Sequence, residues 1–297
     1  MVAVGGAVAL AVSSAPPSLA GQLTLLAIGS AVIGLPHGAV DHDVAARARS
    51  LTGVPFYVAY LGLVLVVGLT WWLAPQVAFL GFLAASAWHF GEGDLRHLAP
   101  VRTLGRVTRG LLVVGVLFSA QPDAVATLLG PSLAGLMPPA AWSGPIAASL
   151  LSLHIAVLLA TPGIPFGRRS RAVADAVVVT LWLWCAPPIL AFTGYFCLWH
   201  SLAHVRTLTR EGIVQQLFPR ALPLTLAASI GLVVGLQVLF RTVPEGAVAS
   251  ALLPAIAALA MPHVVLVELW RHRAASGLLV ESATGSGGTA ATWIRTD

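Results

Sequence analysis

The sequence predicts an all-α fold, a polytopic bundle of about nine membrane-crossing helices (eight to ten), and three observations predict it. Charged residues make up 9% of the 297-residue chain and hydrophobic ones 58%, whereas a soluble globular protein carries roughly 25% charge. Apolar runs recur along almost the whole chain, many near the roughly 20 residues a helix needs to cross the hydrocarbon core. The basic residues fall between these runs, in alternate loops.

The apolar segments run over 18–36, 53–74, 76–96, 108–121, 141–160, 171–186, 188–206, 221–240 and 247–270. Residues 2–14 are apolar but short, fit for a further span or an interfacial segment, and no basic residue precedes them as in a cleaved signal peptide. Segment 108–121 is also short, and 123–137 reads as a re-entrant or surface helix. No stretch between the runs is long enough to bury a core of its own. One integral membrane domain over 1–273 is expected, followed by a Gly-, Ser-, Thr- and Ala-rich tail over 274–297 with the composition of a disordered segment.

All 16 basic residues are arginines. Arg47, Arg49, Arg102, Arg106, Arg109, Arg168, Arg169, Arg171, Arg210 and Arg220 fall in every second loop, and Arg271 and Arg273 follow the last run. Of the other loops, only 241–247 carries an arginine, Arg241. Loops on the cytoplasmic side of a membrane are enriched in basic residues, so these loops and the C-terminus are expected to be cytoplasmic, in an inner cell membrane. A nucleic-acid partner would need the basic residues clustered on one face, and none is expected. Cys185 and Cys197 both lie in apolar runs and outline no disulfide framework.

The nine histidines are the most informative feature. His37, His89, His154, His263 and the pair His200 and His204 belong to five separate runs, yet all fall in the cytoplasmic half of the expected bundle. Ionisable groups inside spans are costly and mark function. His200 and His204, in HSLAH (200–204), are four apart and share one face of a helix, so both rings can reach one ion. His89 sits in SAWHFGEGD (86–94) with Glu92 and Asp94 close behind, and His37 in GLPHGAVDHD (34–43) with Asp41, His42 and Asp43. A ligating imidazole usually passes its second N–H to a carboxylate, a role for which Asp41 and Glu92 are spaced. The competing reading pairs these acids with loop arginines. Pro36 and Pro262 each precede a histidine and should disturb the helix there. His263, five residues before Glu268, reads as a pocket wall or as support for the ligands. His97 and His272 adjoin arginines and read as surface residues, and His154 as a packed core residue.

Neutral imidazoles suit Zn, Cu, Fe or Ni, and no Cys-x-x-Cys pattern supports a structural zinc site. A substrate reaching a site inside the leaflet must be lipid-soluble. Trp88, Phe90, Phe192, Tyr195, Phe196 and Trp199 adjoin the histidines and could line a substrate slot, with Trp88, Phe90, Phe196 and Trp199 the candidates for its wall, or else are packing residues.

PHGAVDH (36–42), HFGEGD (89–94), HSLAH (200–204) and PHVVLVE (262–268) occur in that order and together resemble the Brp/Blh family. These are integral-membrane carotenoid-cleaving enzymes of bacteria and archaea. The resemblance implies a non-haem iron dioxygenase, β-carotene 15,15'-dioxygenase, that splits the central double bond of β-carotene with O2 into two all-trans-retinals. It implies Fe(II) held by His37, His89, His200 and His204, with no catalytic residue beyond these ligands. His42, His263, Asp41, Glu92, Asp94 and Glu268 match motif positions of supporting role. It also implies a lipid-soluble carotenoid, O2 and membrane lipid as partners, and a functional link to a retinal-binding rhodopsin.

Three other classes would also be rich in histidine. A di-iron desaturase or hydroxylase needs more ligands, including an HxxHH cluster that this chain lacks. A bis-histidine haem cytochrome would show a Soret band. A transporter would bind its substrate without converting it, typically near the bilayer midplane.

Overall fold

The computed structural model describes residues 17–47, 52–98, 100–101, 103–210, 217–242 and 245–275. Some helical residues, His37 and His272 among them, are described in backbone alone. The apolar segment 2–14, Arg49, Arg102 and residues 276–297 of the expected tail lie outside the described residues.

Among the described residues every regular element is a helix. In chain order these are α1 (Leu19–Gly29), α2 (Leu35–Gly38), α3 (Asp41–Arg47), α4 (Val54–Leu73), α5 (Pro75–Leu95), α6 (Thr103–Ser119) and α7 (Pro122–Leu129). There follow α8 (Pro131–Ala134), α9 (Ser143–Ala160), α10 (Phe166–Cys185), α11 (Pro188–Thr193), α12 (Leu202–Arg210), α13 (Leu217–Thr242) and α14 (Glu245–Ala275). Two π-helical stretches join their neighbours without a break, Ser30–Gly34 between α1 and α2 and Gly194–Ser201 between α11 and α12. Each predicted apolar segment is therefore helical, and α14 runs two residues past the expected domain end at 273.

Chain punctuation follows from residue chemistry. The Ser18 hydroxyl caps α1 by accepting from the Gly21 N–H. Gly53, at φ +63°, turns the chain into α4, a conformation costly for any residue with a Cβ. Pro75 and Pro122 open α5 and α7, where their missing N–H is harmless. Pro262 departs from expectation, because α14 runs through it unbroken. A proline removes one ladder bond, and spanning helices re-satisfy the freed carbonyl through neighbouring groups.

Three described stretches are long and apolar enough to cross a membrane: α4, Ala140–Ala160 and Ala251–Leu269. The pair α6 and α7 also qualifies, bent by 82° at its break, which gives the expected re-entrant segment the form of a sharply turned helix. The other predicted segments are helical but fall short for physical reasons. Glu92 and Asp94 interrupt the apolar run of α5, Arg168, Arg169, Arg171 and Asp175 sit in α10, and π segments divide the first and seventh stretches.

The surface is the apolar side. Along α4, Val58, Leu61, Leu65 and Trp72 are all exposed, Trp72 at 79%. Such a continuous apolar face suits lipid rather than water. Inside, α6 packs on α5, α9 and α10 around Leu112, Val113, Val116, Ala176, Val179 and Leu183. Closest approach falls at two glycines. A Cβ on Gly91 would collide with the Arg106 carbonyl, and one on Gly110 with the Ala87 carbonyl. This contact lets α5 and α6 meet backbone to backbone and fixes the stretch of α5 that carries His89.

Candidate metal centre

His89, His200, His204 and His263 come together in the interior, each 7% exposed or less. The rings form a chain of contacts. His200 lies 5.0 Å from His89 between centroids, His89 lies 5.2 Å from His263, and His263 lies 5.4 Å from His204. Four sequence segments thus converge through α5, the second π stretch, α12 and α14. Two of the predicted ligands, His89 and His200, have their Nε2 atoms 3.2 Å apart.

The π geometry helps set this. His200 lies within Gly194–Ser201 and His204 in the α-helix that follows, so the predicted pair spans a change of helical form. π segments recur at functional sites because they re-aim side chains. The two π stretches also pack on each other. A Cβ at Gly34 would press on the Phe196 ring, and one at Gly29 would lie 3.1 Å from the Cys197 Sγ.

The histidines are backed by carboxylates. Asp94 turns one oxygen toward His200, with Oδ1 3.9 Å from Nδ1. Its other oxygen accepts from Arg109 Nε at 2.8 Å and from the Tyr195 hydroxyl at 3.1 Å. Asp41 accepts at Oδ1 from His263 Nδ1 at 2.7 Å and at Oδ2 from the Tyr60 hydroxyl at 3.3 Å. Both acids are buried, with side-chain exposure of 2% and 3%.

The sequence-predicted residues distribute as follows. Asp41, spaced to serve His37, holds His263. Glu92, spaced to serve His89, pairs with the Arg106 guanidinium. Arg106 and Arg109, expected in a loop, lie on α6, and Arg109 is 2% exposed. Pairing with Asp94 stabilises that buried charge. His42 is half-buried with Nε2 3.7 Å from Asp43, and Glu268 is half-buried on α14. The side chain of His37 lies outside the described residues. Its neighbour Gly38 faces the cluster, since a Cβ there would sit 3.7 Å from His263 Nδ1. His154 is fully buried, with Nδ1 3.0 Å from the Thr108 hydroxyl, and His97 is exposed.

Among the aromatics, Phe90 packs on His200 at 4.8 Å, and Phe196 stacks over the same ring at 6.5 Å. Trp199 packs against the α6 core, and Trp88 is half-buried. Phe90 also forms part of the wall of an apolar cavity of about 120 Å³, partly open to the surroundings. Its lining includes Phe82, Leu83, Phe118, Leu129 and Phe192. Ser86, one turn before His89, is the single polar side chain in that lining.

Sequence reasoning took Arg109 for a loop charge and Tyr195 for a slot or packing aromatic, and passed over Tyr60. A signal existed. The chain has only three tyrosines, and two of them donate to the buried carboxylates.

One donor pair has the spacing expected of two imidazoles on a shared metal ion. Two ligands about 2.0–2.1 Å from one ion lie roughly 3.0–3.4 Å apart, and the Nε2 pair of His89 and His200 meets that spacing at 3.2 Å. Among the described residues no group of three or more His, Cys, Asp or Glu is by itself arranged to hold a metal.

A family model described as beta-carotene 15,15'-dioxygenase matches residues 28–271. The chain is 29% identical to a Halobacterium salinarum protein named "Probable beta-carotene 15,15'-dioxygenase Blh", over 84% of each chain. It is 25% identical to the beta-carotene 15,15'-dioxygenase of uncultured marine bacterium 66A03, over 80% of this chain and 89% of that one. No solved structure matches it.

Proposed function

Since this chain belongs to the beta-carotene 15,15'-dioxygenase family, we propose that it is a membrane-embedded non-haem iron enzyme that splits β-carotene at its central 15,15' double bond. The products are two molecules of all-trans-retinal. In this reaction the C=C and O–O bonds break and two C=O bonds form. No electrons or protons are exchanged with a third reactant, so no nicotinamide or flavin site is required.

The observation that carries the reading is a buried imidazole cluster adjoining an apolar cavity across the Phe90 ring. Imidazoles inside a lipid-facing bundle are costly unless they serve a site, and a cavity lined almost wholly by carbon suits a polyene. His37, His89, His200 and His204 would hold Fe(II), with Asp94 orienting His200 through Nδ1. Bound Fe(II) would supply the open-shell chemistry that lets triplet O2 react with a closed-shell polyene. The chain's other contribution is positioning. Phe90 and Phe196 flank His200, and the cavity wall would set how far the substrate threads before its central bond reaches the cluster. Trp88 and Trp199 are further candidates for the slot. The bundle would cross the cell membrane about nine times with its C-terminus cytoplasmic, take its substrate from the lipid, and deliver retinal to a retinal-binding rhodopsin.

The test is expression in a carotene-producing bacterial host. Yellow colour should fade and retinal accumulate with the native chain, and neither should occur with His200→Ala. Protein purified anaerobically should carry about one iron per chain, as one imidazole cluster can hold, and His200→Ala or His204→Ala should lose most of it. Full iron in the His200→Ala protein, or unchanged carotene with the native one, would overturn the reading.

A further inference from the structure

We propose that His263 is a further ligand of the same metal ion, set in its metal-binding tautomer by Asp41. This rests on the metal reading above. Three observations carry it.

The first is position. His263, from α14, lies between two predicted ligands, with its ring near-perpendicular to both His89 and His204 at 84° in each case. It thereby links the α5 side of the cluster to the α12 side.

The second is the tautomer. With Nδ1 donating to Asp41 at 2.7 Å, the lone pair of the neutral ring resides on Nε2, the nitrogen a metal takes when a carboxylate holds the other. His200 repeats the arrangement from across the cluster, Nδ1 toward Asp94 and Nε2 beside His89. The two acid–histidine pairs converge on one group of rings.

The third is charge. A buried carboxylate needs a compensating positive charge. Arg109 supplies it to Asp94. Among the described residues the hydrogen-bond partners of Asp41 are the His263 ring and the Tyr60 hydroxyl, with no arginine among them. A dication beyond His263 would balance Asp41 as Arg109 balances Asp94. Tyr60 and the apolar cluster of Ala45, Phe56 and Leu266 hold this pair in place.

The test uses the full-length protein purified in detergent, loaded with Fe(II) or Co(II), and challenged with a chelator. His263→Ala should lose metal about 10–100-fold more readily than the native protein, and Asp41→Asn should shift in the same direction by a smaller factor. Added imidazole should restore metal retention to His263→Ala, because a free ring can occupy the vacated space and ligate, which also answers the concern that the variant is misfolded. The visible spectrum of the Co(II) protein should change with His263→Gln, as loss of a ligand requires and loss of packing alone does not. A His263→Ala protein with native metal retention and a native Co(II) spectrum would overturn the proposal while leaving the four-histidine site standing. A native protein that binds neither metal would overturn the underlying metal reading instead.

Discussion

Asp94 receives both Nε and Nη2 of Arg109 on a single oxygen, at 2.8 and 2.7 Å, with side chains only 2% and 3% exposed. This leaves its other oxygen directed at His200. The pair joins α5 to α6 and connects the packing of the bundle to the aim of one imidazole.

Removing Arg109 alone strands a buried carboxylate. Arg109→Met should cost about 3–5 kcal/mol, as breaking a buried pair by deleting one partner does. Adding Asp94→Asn should recover much of that loss. Denaturant unfolding in detergent of both single variants and the double would measure the coupling. An Arg109→Met protein as stable as the native one would show that the pair is not what holds α5 against α6.

The glycine contact makes a second prediction. Gly91→Ala and Gly110→Ala each place a Cβ on a backbone carbonyl, which cannot move aside as a side chain can. Each should destabilise by at least about 1–3 kcal/mol and shift His89, so iron content should fall as well. Gly62→Ala is the control, since nothing lies within 4 Å of its Cβ. Equal melting temperatures for all three variants would contradict the close approach.

The slot predicts unequal effects among four aromatics. Phe90→Ala should leave iron bound but lower activity and yield off-centre products of unequal length, because Phe90 alone of the four touches both the cavity and His200. Phe196→Ala should do the same to a lesser degree. Trp88→Ala and Trp199→Ala, away from the cavity lining, should change products least. Chromatography of the aldehydes decides the matter, and unaltered central cleavage in the Phe90→Ala protein would place the slot elsewhere.

Orientation can be read with a reporter active only in the periplasm. Fused after residue 273, it should stay silent, because the basic loops are expected to face the cytoplasm. Strong activity there would invert the whole arrangement.

The sequence by itself determined that the chain is helical, where its apolar runs lie, and which short motifs carry its histidines. Those properties are local or periodic. Composition sets the solvent a helix suits, and four short motifs carry rings that are expensive to bury without purpose. Which acid serves which histidine was decided only by tertiary structure. Asp41 stands four residues after His37, the pairing that helix spacing suggests, and only packing reveals that Asp41 also meets a ring 222 residues away, His263. Glu92 likewise goes to Arg106, leaving Asp94 for His200. The physical reason is that helix periodicity fixes which side chains share a face, whereas the partner across that face depends on how helices pack. Here packing is governed by Gly91 and Gly110, by the bend between α6 and α7, and by two π stretches. The arginines show the same limit from the other side. Arg109 reads as one more loop charge until the fold buries it against Asp94, where it becomes part of the support of the candidate metal centre.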